Sequence, residues 1–268
     1  MAQPNEITVR QLNRQIGTPD APAIVDICTE EDFGEAPFLI PGSFRHPHED
    51  LDGLIDRLGG RPAVIVCQKG RKLSQGVAAW LRSSGQQAEI LQGGALAWQA
   101  DPTTQAIPFA RMPKTDLWVT RHRPKIDRIA CPWLIRRFID ADAKFLYVAP
   151  AEVLSVADRF DATAFDAPEA PYSHGADGCT FDALLTAFHL AENPALHRMA
   201  GVIRAADLGQ LDAAPEAAGL LALSVGLSRH YRDENRQLEA GIPLYDALFR
   251  WARDGFDETH ASDFGGAL

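Results

Sequence analysis

The chemistry in this chain starts at one cysteine. Ala63-Val64-Ile65-Val66 is a short, β-branched apolar run that reads as a buried strand, and it ends at Cys67. Gln68, Lys69, Gly70, Arg71 and Lys72 follow as a basic, glycine-bearing loop. From Ser74 to Leu81 the spacing of Val77, Ala78, Trp80 and Leu81 predicts a helix. A cysteine at the C-terminal end of a strand, beneath a helix N-terminus, faces inward-pointing backbone N–H groups and the positive end of a dipole. With Lys69, Arg71 and Lys72 beside it, that setting favours thiolate over thiol, and the thiolate is the nucleophile. The commoner fate of a lone cysteine is to pack in a core. Three cations and a glycine in the next five residues are poor company for a core cysteine.

A second group of chemistry-bearing residues lies beyond position 120. Arg121-His122-Arg123-Pro124-Lys125-Ile126-Asp127-Arg128 holds four cations and a histidine in eight residues. A helix is expected over Cys131–Ile139, with Pro132 suited to its first turn and Arg136 and Arg137 interleaved with apolar positions. On composition alone this cluster is either an anion site or a salt-bridged surface. As an anion site, Arg123, Arg128, Arg136 and Arg137 would supply charge-assisted hydrogen bonds to a tetrahedral dianion. Further on, Pro171-Tyr172-Ser173-His174-Gly175-Ala176-Asp177-Gly178-Cys179-Thr180-Phe181 combines imidazole, carboxylate and thiol in a glycine-rich loop. His174, Asp177 and Cys179, with Asp127 upstream, are the types that hold a transition-metal ion. By itself the loop reads as a capping loop with one buried histidine, Thr180 capping a helix over Phe181–Leu190. His46 and His48 alternate as a metal pair would, but two ligands do not make a site, and their stretch reads as a solvated turn. Arg204 and Asp207, one helical turn apart, read as an ion pair.

The elements that must position these groups fall into two halves, within what 268 residues allow. In the first, residues 6–17 read as a strand and short helix, Ala23–Ile27 as a buried strand, Glu30–Glu35 as loop, Leu51–Leu58 as helix and Ala88–Leu91 as a last strand. Strands alternating with helices imply a parallel α/β sheet whose site lies at the strands' C-terminal ends, where Cys67 is. Residues 101–115, with Pro102, Pro108 and Pro113 and no sustained periodicity, read as an interdomain linker. The second half opens with a short strand, Leu117–Thr120, and then turns mainly helical: Ala195–Leu208, Pro215–Leu227, Tyr231–Ala240 and Pro243–Arg253, with Gly209, Gly226, Gly241 and Gly255 as stops. Residues 256–268 read as a flexible tail.

Composition narrows the function. A net charge of −10 disfavours nucleic acid and anionic membranes as partners, and 46% hydrophobic with 23% charged residues is ordinary for a globular chain. No run has the length of a transmembrane helix, and the first residues lack the basic start and apolar core of a signal peptide, so a cytoplasmic location is expected. Cys28, Cys67, Cys131 and Cys179 are widely spaced with no C-x-x-C pair, which suits a reducing compartment better than a disulfide framework.

Two resemblances sharpen this. The Cys67 loop resembles the active-site loop of the rhodanese family, C-x-x-G-x-R followed by a helix, with Lys72 where arginine is usual. Ile24-Val25-Asp26, Ile40-Pro41-Gly42-Ser43 and Leu91-Gln92-Gly93-Gly94-Ala95-Leu96-Ala97-Trp98 are similar to that family's other landmarks, in the same order, over residues 5–100. Where that family usually carries an arginine two residues after the aspartate, this chain has Cys28. The resemblance implies a sulfurtransferase: Cys67 as nucleophile, Asp26 as support for the loop, Lys72 beside it, and Gln68, Lys69, Gly70 and Arg71 holding the substrate. It implies a small anionic sulfur donor and a thiol or cyanide-like acceptor. The four residues between Cys67 and Lys72 match the sulfur-handling members; related phosphatases have a loop one residue longer. Cys28 would either resolve a persulfide as a disulfide or simply pack.

Residues 116–255 resemble the C-terminal domain of ChrB-type chromate-resistance proteins. The likeness is carried by Arg123–Asp140, Val202-Ile203-Arg204-Ala205-Ala206-Asp207, Gly219-Leu220-Leu221-Ala222 and Leu244-Tyr245-Asp246-Ala247-Leu248. This implies a link to chromate or oxyanion stress and supplies no mechanism. The expected architecture is an α/β rhodanese-like domain, with a parallel sheet flanked by helices, followed by a mainly helical α+β domain. The rival reading is a chromate- or metal-responsive binding protein whose rhodanese-like half is a redox sensor or scaffold.

Overall fold

The computed structural model describes residues 4–176 and 178–258. In chain order the first half runs β1 (Glu6–Ile7), α1 (Val9–Gln15), β2 (Ala23–Asp26), α2 (Glu30–Glu35), β3 (Phe38–Leu39), β4 (Ser43–Arg45), α3 (Leu51–Leu58), β5 (Ala63–Val66), α4 (Lys72–Ser83), β6 (Ala88–Leu91) and α5 (Gly94–Ala100). Five strands make one sheet in the order β1-β6-β5-β2-β4, every neighbouring pair parallel. The central strands β2 and β5 are buried along their whole length, as a parallel sheet covered on both faces requires. Their side chains part by alternation. Ala23, Val25, Ala63, Ile65 and Cys67 face one core, under Leu54 and Leu58 of α3 and Val77, Ala78 and Leu81 of α4. Ile24, Val64 and Val66 face the other side, in a core continuous with Trp118, Trp133 and Phe138 of the second half.

The segment Glu30–Glu35, expected as loop, is helical. Thr29 Oγ1 accepts the Asp32 N–H at 3.2 Å, three acidic residues occupy the first turn where the dipole favours negative charge, and Phe33 is buried. Helix α4 begins at Lys72 rather than Ser74, which brings its N-terminus down onto Cys67.

Residues 101–115 are strapped down. Trp98 Nε1 donates to the Gln105 carbonyl at 2.8 Å and Asn13 Nδ2 to the Thr103 carbonyl at 3.1 Å. Strand β7 (Ile107–Pro108) pairs antiparallel with β3. The halves also touch directly, through the Gly42 N–H on the Phe138 carbonyl and through Arg57 on Asp142 at 3.2 Å.

The second half comprises β8 (Leu117–Arg121), α6 (Asp127–Leu134), β9 (Lys144–Val148), α7 (Val153–Phe160), β10 (Thr163–Ala164), α8 (Thr180–Ala187), α9 (Pro194–Asp207), α10 (Ala217–His230) and α11 (Glu234–Arg250). Its small sheet, ordered β10-β8-β9, is also parallel. Three expectations change here. Helix α6 starts at Asp127 rather than Cys131 and runs on as a π turn over Ile135–Ile139, so Pro132 lies inside it. Pro132 has no N–H to give the Arg128 carbonyl, and the Tyr147 hydroxyl donates to that carbonyl instead, at 3.3 Å. Thr180 is the first residue of α8 and not its cap; Asp182 reaches back to accept the Cys179 N–H at 2.9 Å. The two helices expected around Gly241 are the single helix α11, because Leu238, Ile242, Tyr245 and Phe249 keep one buried stripe running through Gly241 and Pro243. Of the expected tail, residues 259–268 lie outside the described residues. Among the described residues no helix is long and apolar enough to cross a membrane.

Candidate active site and a buried charged cluster

Cys67 sits directly after β5, at the C-terminal edge of the first sheet, and is 5% exposed. Backbone hydrogen bonds tie the loop to α5: the Ala95 N–H donates to the Cys67 carbonyl and the Leu96 N–H to the Gln68 carbonyl, both at 3.0 Å. Gly70 makes this approach feasible. It has φ +62°, and a Cβ there would meet the Leu91 carbonyl oxygen at 2.5 Å and the Gly94 nitrogen at 2.8 Å. The glycine of the loop and the Gly93-Gly94 pair are therefore two sides of one contact.

Burial pushes the Cys67 thiol up, but hydrogen bonds win and hold it below its ordinary value of 9.0. The Ser74 hydroxyl lies 3.2 Å from Sγ, and the backbone N–H groups of Ser74, Arg71 and Lys69 act in the same direction. The sequence points to the inward N–H groups, the helix dipole and the cations together. Lys69, Arg71 and Lys72 are all exposed, and the work of ionisation falls to a buried hydroxyl and three amides. The other three cysteines are shifted the opposite way, Cys28 and Cys179 by burial and nearby carboxylates and the fully buried Cys131 by burial above all. Iodoacetamide at neutral pH is therefore expected to alkylate Cys67 well ahead of the other three, read by peptide mass. Ser74→Ala should move the pH dependence of that alkylation upward and slow it about tenfold at neutral pH, the loss of roughly one hydrogen bond to a charged group. An unchanged profile would remove Ser74 from the site.

The remaining loop residues do not all turn inward. Gln68 Nε2 donates to Glu35 Oε2 at 2.7 Å. Asp26, 5% exposed, accepts the Cys28 N–H at 2.9 Å, so it steadies the Cys28 turn rather than the Cys67 loop. Burial raises its carboxyl above the usual value, against the pull of that N–H. Where the rhodanese resemblance leads one to expect arginine at Cys28, Arg45 arrives from the neighbouring strand, paired in register with Asp26. Its Nη2 donates to the Cys28 carbonyl at 2.9 Å and its guanidinium lies 3.9 Å over the Phe33 ring. His46 and His48 lie against Asp50 and Glu49 at 3.3 and 3.2 Å, in a turn.

In the second half the C-terminal ends of β8 and β10 converge with the first turn of α6 and the last of α9. Asp166, 2% exposed, takes Arg121 Nη2 on both oxygens at 3.0 and 2.9 Å, Arg128 Nε at 3.0 Å and the Thr180 hydroxyl at 3.2 Å. Asp127, 1% exposed, accepts the Thr180 N–H on Oδ2 at 2.6 Å. His174 Nε2 faces three carboxylates at once: Asp166 Oδ1 at 3.2 Å, Asp207 Oδ2 at 3.3 Å and Asp127 Oδ2 at 3.5 Å. Burial, then the Asp207 and Asp166 charges, push Asp127 well above the usual carboxylate range. Burial also raises Asp207, against the pull of His174.

Asp127 and His174 of the expected metal set thus meet. Cys179 does not join them: its thiol lies on Asp182 Oδ2 at 3.3 Å. Asp177 lies outside the described residues. Asp207 joins the group instead, because Arg204 pairs with Asp182 at 2.8 Å and not with Asp207. The four arginines do not converge on an anion site. Arg128 pairs with Asp166, Arg136 with Glu239 at 2.7 Å and Arg137 with Asp246 through two contacts of 2.8 Å. Arg123 is exposed, its N–H near Glu234. Sequence reasoning missed Asp166 and Asp207. Asp166 had a signal, since Thr163-Ala164-Phe165-Asp166 repeats the strand-then-aspartate pattern of Ile24-Val25-Asp26. Asp207 had a weaker one, an acid in the last turn of a helix where the dipole disfavours it.

Two family models match the chain, one described as ChrB, C-terminal domain over residues 118–252, half of the chain, and one described as Rhodanese-like domain over residues 8–101. Protein ChrB of Cupriavidus metallidurans is 36% identical over 132 residues, 49% of this chain and 39% of that protein. The chain therefore spans about two fifths of the length of the curated relative it matches. Among solved structures, a rhodanese-like domain protein from Staphylococcus aureus is 28% identical with a TM-score of 0.29, covering 35% of this chain and 90% of that one. SSP1007 from Staphylococcus saprophyticus is 24% identical with a TM-score of 0.31, covering 35% and 92%. The chain belongs to the ChrB C-terminal domain family and carries a rhodanese-like domain ahead of that domain.

Proposed function

We propose that the first half is a cytoplasmic sulfurtransferase that works through a persulfide on Cys67, in a protein serving chromate or oxyanion stress. The observation that carries the reading is the seat of the thiol: Cys67 Sγ lies under the N-terminus of α4, with the Ser74 hydroxyl at 3.2 Å and a thiol value held below the ordinary one. The Cys67 thiolate attacks the outer sulfur of thiosulfate; the S–S bond of the donor breaks and sulfite leaves with its electron pair. The persulfide's terminal sulfur is then negative and sits where the loop N–H groups already point. A thiolate or cyanide attacks that sulfur, and Cys67 leaves as thiolate, so no oxidant or reductant is consumed. Lys69, Arg71 and Lys72, exposed around the rim, draw the anionic donor in. The link to chromate stress rests on the ChrB family of the second half, whose named relative is Protein ChrB.

The test is intact mass after incubation with thiosulfate. A gain of one sulfur is expected in the parent chain and in Cys28→Ala, and none in Cys67→Ala. An adduct that survives Cys67→Ala, or no adduct in the parent chain, would overturn the reading.

A further inference from the structure

The cluster around His174 is assembled like a set of ligands rather than a set of hydrogen bonds. A neutral imidazole offers at most one N–H at Nε2 and a protonated one still only one there. Yet three carboxylate oxygens stand 3.2 to 3.5 Å from that single nitrogen. One hydrogen can serve one of them well. A common centre served by the imidazole and the Asp127 and Asp207 oxygens removes the conflict, because donor atoms about 2.1 Å from a metal ion sit roughly 3 Å from each other. One ligand atom each from Asp127, His174 and Asp207 already lie within 4.8 Å of one another.

Two further observations point to a missing positive charge. Asp127 Oδ1 is buried with no hydrogen-bond partner, although its residue is 1% exposed. A buried carboxylate oxygen left unpaired costs a few kcal/mol unless something meets it. The charges also do not balance. Asp166 is met by two guanidiniums, Arg121 and Arg128, whereas among the described residues the imidazole is the one cationic group at ion-pair distance from Asp127 and Asp207. Asp207 stands in the last turn of α9, where the helix dipole adds more negative potential.

We propose that Asp127, His174 and Asp207 bind a divalent first-row transition ion. Two carboxylates with one imidazole suit manganese, iron or zinc better than magnesium or calcium, which take oxygen alone. Asp166 is not counted among the ligands, because its oxygens are already taken by Arg121, Arg128 and Thr180. The side chains of His174 and Asp207 are 36% and 18% exposed, which gives the ion a way in from solvent. This site is independent of sulfur chemistry at Cys67.

The experiment uses the full chain, stripped with a chelator and titrated with Mn²⁺ alone and with Zn²⁺ alone. Free Mn²⁺ is followed by its spin resonance signal and free Zn²⁺ by a chromophoric chelator. One ion per chain is expected, with affinity lowered at least about tenfold in His174→Ala and in Asp207→Asn. Circular dichroism and sulfur loading of Cys67 should stay unchanged in both. If Asp207→Asn fails to fold, His174→Ala decides alone, since its ring is part-exposed and carries no core packing. No stoichiometric binding of either ion, or binding that His174→Ala leaves intact, would overturn the site.

Discussion

Cys67→Ser should lower thiocyanate formation from thiosulfate and cyanide by on the order of 10⁴-fold or more, the scale seen when a sole nucleophile is removed. The substitution keeps the shape of a side chain that is 5% exposed and changes only how readily it ionises. The partner of Cys67 Sγ is the Ser74 hydroxyl, a hydrogen-bond donor to a thiolate and no base for an alcohol. A serine there would stay protonated. The pH profile expected of the parent chain gives the same argument a sign. Hydrogen bonds hold the thiol below its ordinary 9.0, so activity should climb with pH through that lowered value and level off beneath the usual thiol range. A rise that begins only in that ordinary range would count against the ionised cysteine. Folding stability follows the same group. A depressed folded-state value contributes stability that is present above the unfolded thiol value and is lost as pH falls through the folded one. Thermal denaturation across that window should show a shallow loss towards acid that Cys67→Ser removes.

The largest effect on stability is expected at Asp166. Replacing it by alanine strips both guanidinium groups, the Thr180 hydroxyl and His174 of a shared partner that is 2% exposed. Removing one side of a buried ion pair costs about 3–5 kcal/mol because the other side keeps its charge without compensation. The lower end, about 3 kcal/mol, fits here, since Arg121 and Arg128 are 32% and 20% exposed and turn partly to water. Asp166→Asn keeps the shape and accepts hydrogen bonds on one oxygen, so it should lose less. Equilibrium denaturation of the two variants beside the parent checks both. A loss under 1 kcal/mol in Asp166→Ala would mean that this network is dispensable to the fold. Sulfur loading at Cys67 should persist in both, because Asp166 follows β10 of the second sheet and Cys67 follows β5 of the first.

The first half was legible because its signals are local. A β-branched run followed by a glycine-bearing basic loop and a helical stretch reports a strand, a turn and a helix N-terminus without reference to anything distant, and Cys67 lies between them. Leu51–Leu58, Ala63–Val66 and Ala88–Leu91 hold to the residue for the same reason. Errors came where a local cue competed with packing. The acids of Glu30–Glu35 suggested loop, yet Thr29 and buried Phe33 make a helix of them. Gly241 and Pro243 suggested a stop, yet a buried stripe carries α11 through both.

The sequence by itself determined the place of Cys67 at a strand end before a helix, the parallel sheet beneath it and the two-part organisation, since each rests on neighbours in the chain. Which groups meet across the chain was decided by tertiary structure. Ser74 reaches Cys67 because α4 starts two residues early, and Arg45 stands near Asp26 because β4 and β2 are in register. Asp127 opens α6, Asp207 ends α9, and Asp166 and His174 lie in the stretch between β10 and α8, so three distant parts of the chain bring them within reach. Three of the four arginines that looked like an anion site, Arg128, Arg136 and Arg137, are consumed by Asp166, Glu239 and Asp246. Charge pairing acts over a few ångströms of space and is blind to distance along the chain, so the carboxylate that neutralises a given arginine is invisible until the backbone has folded.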